Sequence, residues 1–280
     1  MVNKILYKIS SIFKFDAHYV FKGLSWMAVG QFFASVFAFT LSVLLARYLS
    51  QETYGSYKYI LSFIGLVGAF SLTGLLTSVT HSASKGYDGT LWYAFKVNIK
   101  WSVLSFSIYN LIGLYYLLIA NNPVFFWCLL IISILQPLID SFLLYNPYLN
   151  AKGRFLEKTI ISVSTGFVGL ITLASISYFS DSLILMIGGS LFASSITNFI
   201  AFYYVKKKLT SNNNFTEETL QYGKYWSFLN IFGQVSLQMD KILMFNFLGP
   251  AQLAIYSIAI GPVSQMRSLG KFVSALALPR

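Results

Sequence analysis

Eight runs of predominantly apolar residues, separated by short connections, decide most of what this chain can fold into: Leu24–Ala46, Tyr59–Val79, Val97–Ile119, Val124–Tyr145, Thr159–Tyr178, Leu183–Val205, Tyr225–Leu248 and Leu253 to about Val273. Each is close to the 20 or so residues a helix needs to cross a hydrocarbon core of about 30 Å. In lipid the backbone polar groups must be paired within the segment, which selects helices. Barrel strands would be shorter and would alternate apolar with polar. The sequence therefore predicts an all-α polytopic membrane protein with about eight transmembrane helices. Composition agrees, since 56% of residues are hydrophobic and 10% charged, against about 25% charged in soluble domains. The one cysteine, Cys128, excludes an internal disulfide framework.

The net charge of +11 is a topology signal and not the mark of a nucleic-acid binder. With the N-terminus inside, the inner loops hold Lys4, Lys8, Lys14, Lys22, Lys85, Lys96, Lys152, Arg154, Lys158, Lys206, Lys207, Lys208 and Lys224. The outer loops hold Arg47 and Lys58. That bias predicts a cytoplasmic N-terminus in a bacterial inner membrane, with basic loops drawn to anionic lipids. Residues 1–22 lack the apolar region of a cleaved signal. Ile5, Leu6, Ile9, Ile12 and Phe13 repeat at helical spacing, which suits either a short interfacial helix or a solvated tail. The polar stretch 206–224 divides a six-helix lobe, 23–205, from a second group of spans, 225–280.

An internal repeat supports that division. Shifting the chain by 199 residues places Tyr57 on Tyr256, Leu49 on Leu248, Leu44 on Leu243, Val36 on Val235 and Phe33 on Phe232. Polar positions coincide as well: Gln31, Ser35 and Ser42 fall on Asn230, Gln234 and Lys241. On the seventh run Asn230, Gln234, Gln238 and Lys241 share one helix face. This is the pattern of a parallel six-helix repeat, a common transporter plan.

Charges inside spans cost about 2.5–3.5 kcal/mol each, so Asp240 and Lys241 require a reason. Ionisable groups at that depth mark a substrate or ion path, although Asp240 could also pair with a basic group on a neighbouring helix. On the fourth run Ser133, Gln136 and Asp140 surround Pro137, which can bend the helix; this reads as a proton or cation site, or as a hinge beside a carboxylate. Arg267 and Lys271 on the eighth run share a face that an anion would relieve, unless both snorkel to the headgroups. Lys100 and Arg47 read as snorkelling residues and His81 as a surface residue, while Ser162, Gly166 and Gly169 read as a close-packing face. The nine carboxylates are scattered, and no zinc-protease, phosphate-loop or nucleophile-elbow motif occurs. Catalysis is disfavoured, and no cofactor or metal is expected.

Several stretches resemble the polysaccharide biosynthesis family of Wzx-type flippases, related to the multidrug and toxin extrusion transporters. They are Lys22–Trp26, the run Leu44–Tyr57, the loop Leu149–Phe155, and Met239–Leu243 with Phe247–Pro250 and Tyr256. The resemblance implies two helical lobes around a cavity, moving an undecaprenyl-pyrophosphate-linked oligosaccharide across the bilayer by alternating access. It also implies a role in O-antigen, capsule or exopolysaccharide assembly beside other membrane proteins of that pathway. Gln31, Ser35, Ser42, Asn230, Gln234, Gln238, Lys241 and Arg267 would then line the cavity, with Asp140 or Asp240 serving ion coupling. The family pattern has twelve or more helices. The expectation for eight is one complete lobe plus the first two helices of an incomplete second, as in a fragment, a truncated gene product or a chain completed by another polypeptide. Rival readings are a drug/cation antiporter, a membrane enzyme of polysaccharide assembly, or a scaffold.

Overall fold

The computed structural model describes residues 17–215, 217–261 and 263. The described residues are helical, with short turns and no strand. In chain order the helices are α1 (Ala17–Tyr48), α2 (Gln51–Gly68), α3 (Leu75–Ser84), α4 (Thr90–Leu118), α5 (Pro123–Phe142), α6 (Tyr145–Ala151), α7 (Phe155–Phe179), α8 (Leu183–Leu209) and α9 (Glu217–Leu248). The short apolar helix α10 follows at Pro250–Gly261. Among the described residues five spans are long and apolar enough to cross a membrane: Ser25–Tyr48, Thr90–Leu118, Pro123–Ala151, Phe155–Phe179 and Leu183–Leu209. The chain is a multi-pass, all-α membrane protein.

Two of the expected spans are built differently. The second, expected as one run over Tyr59–Val79, begins earlier and is broken. Ser50 caps α2, its hydroxyl accepting the Thr53 N–H at 3.1 Å, and Glu52 sits in the first turn, where a carboxylate meets the positive helix end. The helix stops at Gly68, and α3 starts afresh at Leu75 after a turn containing Ser71, Thr73 and Gly74. The fourth span runs on through Pro137; its interruption falls instead at Leu143–Leu144. Pro147 explains the position, because a proline ring excludes the carbonyl four residues back, here Leu143.

Chain-adjacent helices pack antiparallel, whereas α1 with α7 and α5 with α8 run parallel. α4 lies along α5, α5 along α8, α8 along α7 and α7 along α1, while α9 lies along α2 and α3. The core is rich in tyrosine: Tyr54, Tyr59, Tyr109, Tyr145 and Tyr148 are all fully buried. Tyr145 donates to the Asn198 side chain at 3.2 Å and Tyr148 to the Leu209 carbonyl at 2.9 Å. A tyrosine so placed contributes apolar area while its hydroxyl ties two helices together.

The junctions of the proposed repeat line up. α9 ends 200 residues after α1, and α10 begins 199 after α2. They also touch, since Gly55 on α2 lies directly against the Pro250 carbonyl. Gly249, with φ 91°, makes the sharp reversal that a side chain would oppose.

Candidate functional site

The polar face of α9 is turned towards the broken α2–α3 span. At 100° per residue, Gly223, Ser227, Gln234, Gln238, Lys241 and Phe245 share one stripe. Ser227 donates to the Gly223 carbonyl at 2.8 Å and accepts the Gly74 N–H at 2.8 Å, so a residue of α9 satisfies a backbone donor at the start of α3. Gly74 meets Gly223 backbone to backbone, and Gly65 meets the Gln238 side chain. At the far end Phe245 stacks on Tyr59 with centroids 3.8 Å apart. Tyr59 also shares a 2.6 Å hydrogen bond with the Tyr116 hydroxyl and accepts from Asn246 at 3.2 Å.

The candidates from the sequence fall into separate groups. Lys241 donates to Gln238 Oε1 at 3.0 Å, and both are half-buried, as is Gln234. Asn230 is placed on this face by its backbone register alone. Asp240 accepts the Lys241 N–H at 2.8 Å and the Tyr256 hydroxyl of α10 at 2.6 Å. The basic partner considered for it is replaced by a phenol, for the ion pairs among the described residues are Lys152–Asp88 and Arg154–Glu157. On α1, Gln31 donates to Ser35 at 3.4 Å. That helix lies along α7 and not along α9, so Ser42 faces α10, across a cleft of about 390 Å³ lined with Arg47, Ile258 and Gly261. Arg267 and Lys271 lie outside the described residues, as do residues 1–16 of the expected interfacial segment.

Asp140 forms a second polar centre. It accepts from Gln136 at 2.8 Å one turn away and is within electrostatic reach of the Tyr109 hydroxyl. The Tyr109 and Ser105 hydroxyls are buried without a hydrogen-bond partner, and the adjoining Ser141 accepts from Asn98 at 3.0 Å. The orphaned Tyr109 hydroxyl near a half-buried carboxylate suits a small cation or a proton, because buried polar groups otherwise find partners. Among the described residues no three His, Cys, Asp or Glu side chains gather as metal ligands.

Sequence reasoning missed Asp88. In the α3–α4 turn it is 1% exposed, ion-paired with Lys152 and hydrogen-bonded by the Ser211 N–H and hydroxyl. Its own N–H reaches Asn212, which in turn donates to the Gly86 carbonyl. Burial pushes the Asp88 carboxyl up, but the Lys152 and Ser211 donors outweigh it and hold it below the usual carboxylate range. Three connections are thereby tied at one end, and Gly23 against Phe155 brings α1 to that end too. The signal available in sequence was a lone acid within basic loops.

The family model of polysaccharide biosynthesis proteins matches residues 20–277. The chain belongs to this family. A relative from Shigella flexneri described as "Putative O-antigen transporter" is 21% identical over 283 aligned positions, which cover 93% of this chain and 66% of the relative. The chain thus spans just under two thirds of that relative's length. No solved structure matches.

Proposed function

We propose that this member of the polysaccharide biosynthesis family serves the export of a lipid-linked oligosaccharide unit, passing it from the inner to the outer leaflet of a bacterial cytoplasmic membrane. The observation that carries the reading is the family match over nearly the whole chain, joined to a relative named as an O-antigen transporter. The geometry supports it in three ways. A broken helix faces a polar stripe on α9, an arrangement transporters use where backbone must be irregular at membrane depth. The α1–α10 cleft opens between one helix from each half of the 199-residue repeat, which pairs α1 with α9 and α2 with α10. The acidic centres at Asp140 and Asp240 lie within or beside these spans.

In this reading the half-exposed edge of the stripe, Gln234, Gln238 and Lys241 with Asn230 by register, hydrogen-bonds sugar hydroxyls. Lys241 and Arg267 meet the pyrophosphate or acidic sugars. Gln31, Ser35 and Ser42 line the facing wall, and Asp140 or Asp240 couples transport to an ion. The basic end faces the cytoplasm. Lys241→Ala, expressed in place of the native gene, should abolish surface polysaccharide while the amount of membrane-inserted protein stays unchanged. Normal polymer at normal protein level would reject the assignment.

A further inference from the structure

A second cleft, of about 400 Å³, lies at the basic end between the first turns of α4, the last turns of α8 and the segment after it. None of the stripe residues lines it. Its centre is the Trp92 indole. Lys206 Nζ lies 3.3 Å from the ring centroid and Lys96 Nζ 5.4 Å from it. The two ammonium groups are thus within about one Debye length of each other, and neither is in an ion pair among the described residues. The ring attracts each cation through its quadrupole but neutralises neither.

The carboxylate bordering the cleft does not cancel them. Asp88 is matched by Lys152 and by both donors of Ser211, which leaves the cleft two positive charges in surplus. Phe215, stacked on Tyr93 at 4.4 Å, closes its outer wall. At 27 residues, α8 is about 40 Å long, longer than the hydrocarbon core, so its last turns reach headgroup level. Trp is the side chain favoured at that depth.

We infer that this cleft binds the phosphate of an anionic glycerophospholipid, held between Lys96 and Lys206 with its glycerol against Trp92. Because Lys206 leads directly into the segment that Asp88 fastens, an occupied cleft draws that connection onto α4 and stiffens the basic end. The site does not depend on the transport reading and could be present in a protein that moves another substrate.

The test is the intact protein in nanodiscs of phosphatidylcholine with graded phosphatidylglycerol, the retained lipid being counted by native mass spectrometry after mild detergent extraction. The K96Q/K206Q pair should bind phosphatidylglycerol roughly thirtyfold more weakly, at the usual contribution of a basic residue near a lipid surface. The K207Q/K208Q pair removes the same charge beside a different cleft, with Tyr203 and Tyr204, and should weaken binding clearly less than the K96Q/K206Q pair does. Equal losses in the two pairs, or equal retention of phosphatidylcholine, would overturn the site. Displacement by inorganic pyrophosphate as readily as by lipid, or a preference for polyprenyl diphosphate, would overturn the glycerophospholipid assignment.

Discussion

The two ends of the bundle hold the chain together by opposite means. At the basic end a buried carboxylate, Asp88, gathers Lys152, Ser211 and Asn212 from connections far apart in sequence. At the other end α9 is held by rings and a neutral hydroxyl pair, with Tyr59 between Phe245, Tyr116 and Asn246. The first fastening depends on the charge of Asp88; the second, the Tyr59 cluster itself, is made of neutral groups, with Asp240 and Lys241 on neighbouring turns of α9.

Both ends share the glycine seam, and its loss should have the largest effect. Gly74→Ala would set a methyl group on the Gly223 backbone, and Gly55→Ala would set one on the Pro250 carbonyl. Neither neighbour can rotate aside, so each variant should lose about 1–3 kcal/mol, read as a lowered unfolding midpoint in detergent. Gly68→Ala, with nothing near its added methyl, should be close to neutral. If it is as damaging as the other two, the seam does not explain them.

Asp88→Asn should cost about 2 kcal/mol, the range for hydrogen bonds to a charged group, and the effect should be confined to the basic end. Because the folded carboxyl titrates below its ordinary value, its contribution is complete above the unfolded pKa and disappears as pH falls through the lowered folded one. Hydrogen exchange in residues 206–215 should therefore quicken on acidification while the turns of α2 around Tyr59 hold. Simultaneous loosening would mean that the ends are not separately fastened.

Tyr59→Phe keeps the stack with Phe245 and removes the hydroxyl that meets Tyr116 and Asn246. The expected cost is smaller, about 1 kcal/mol, read as a small drop in the unfolding midpoint. A cost as large as that of Asp88→Asn would mean that the neutral hydroxyl pair is not what holds this end.

Long apolar runs were legible because membrane thickness fixes their length, and the spans that include α1, α4, α5, α7 and α8 follow directly from it. The break at 69–74 was not. Its residues, Ser71, Thr73 and Gly74, lie in a run apolar enough to read as continuous, and what satisfies the interrupted backbone is Ser227, 153 positions away. The stripe on α9 was legible as a face, but sequence could not say what the face meets. Half of that answer is α2–α3, to which glycines give close approach. Asp88 was hidden for the same reason, because its partners Lys152 and Ser211 become neighbours only after four spans have packed.

Whether the exposed edge of that stripe faces water is the point on which the functional account rests. The native chain has one cysteine, Cys128, fully buried, so single cysteines can be introduced against little background. Gln234→Cys lies on the stripe and Phe232→Cys about 200° away, at a position 77% exposed that the account assigns to lipid. Labelling of intact membranes with a charged, water-soluble maleimide should modify the cysteine at 234 and spare the one at 232, and accumulated lipid-linked oligosaccharide should protect 234. Labelling at 232 but not at 234 would contradict the account.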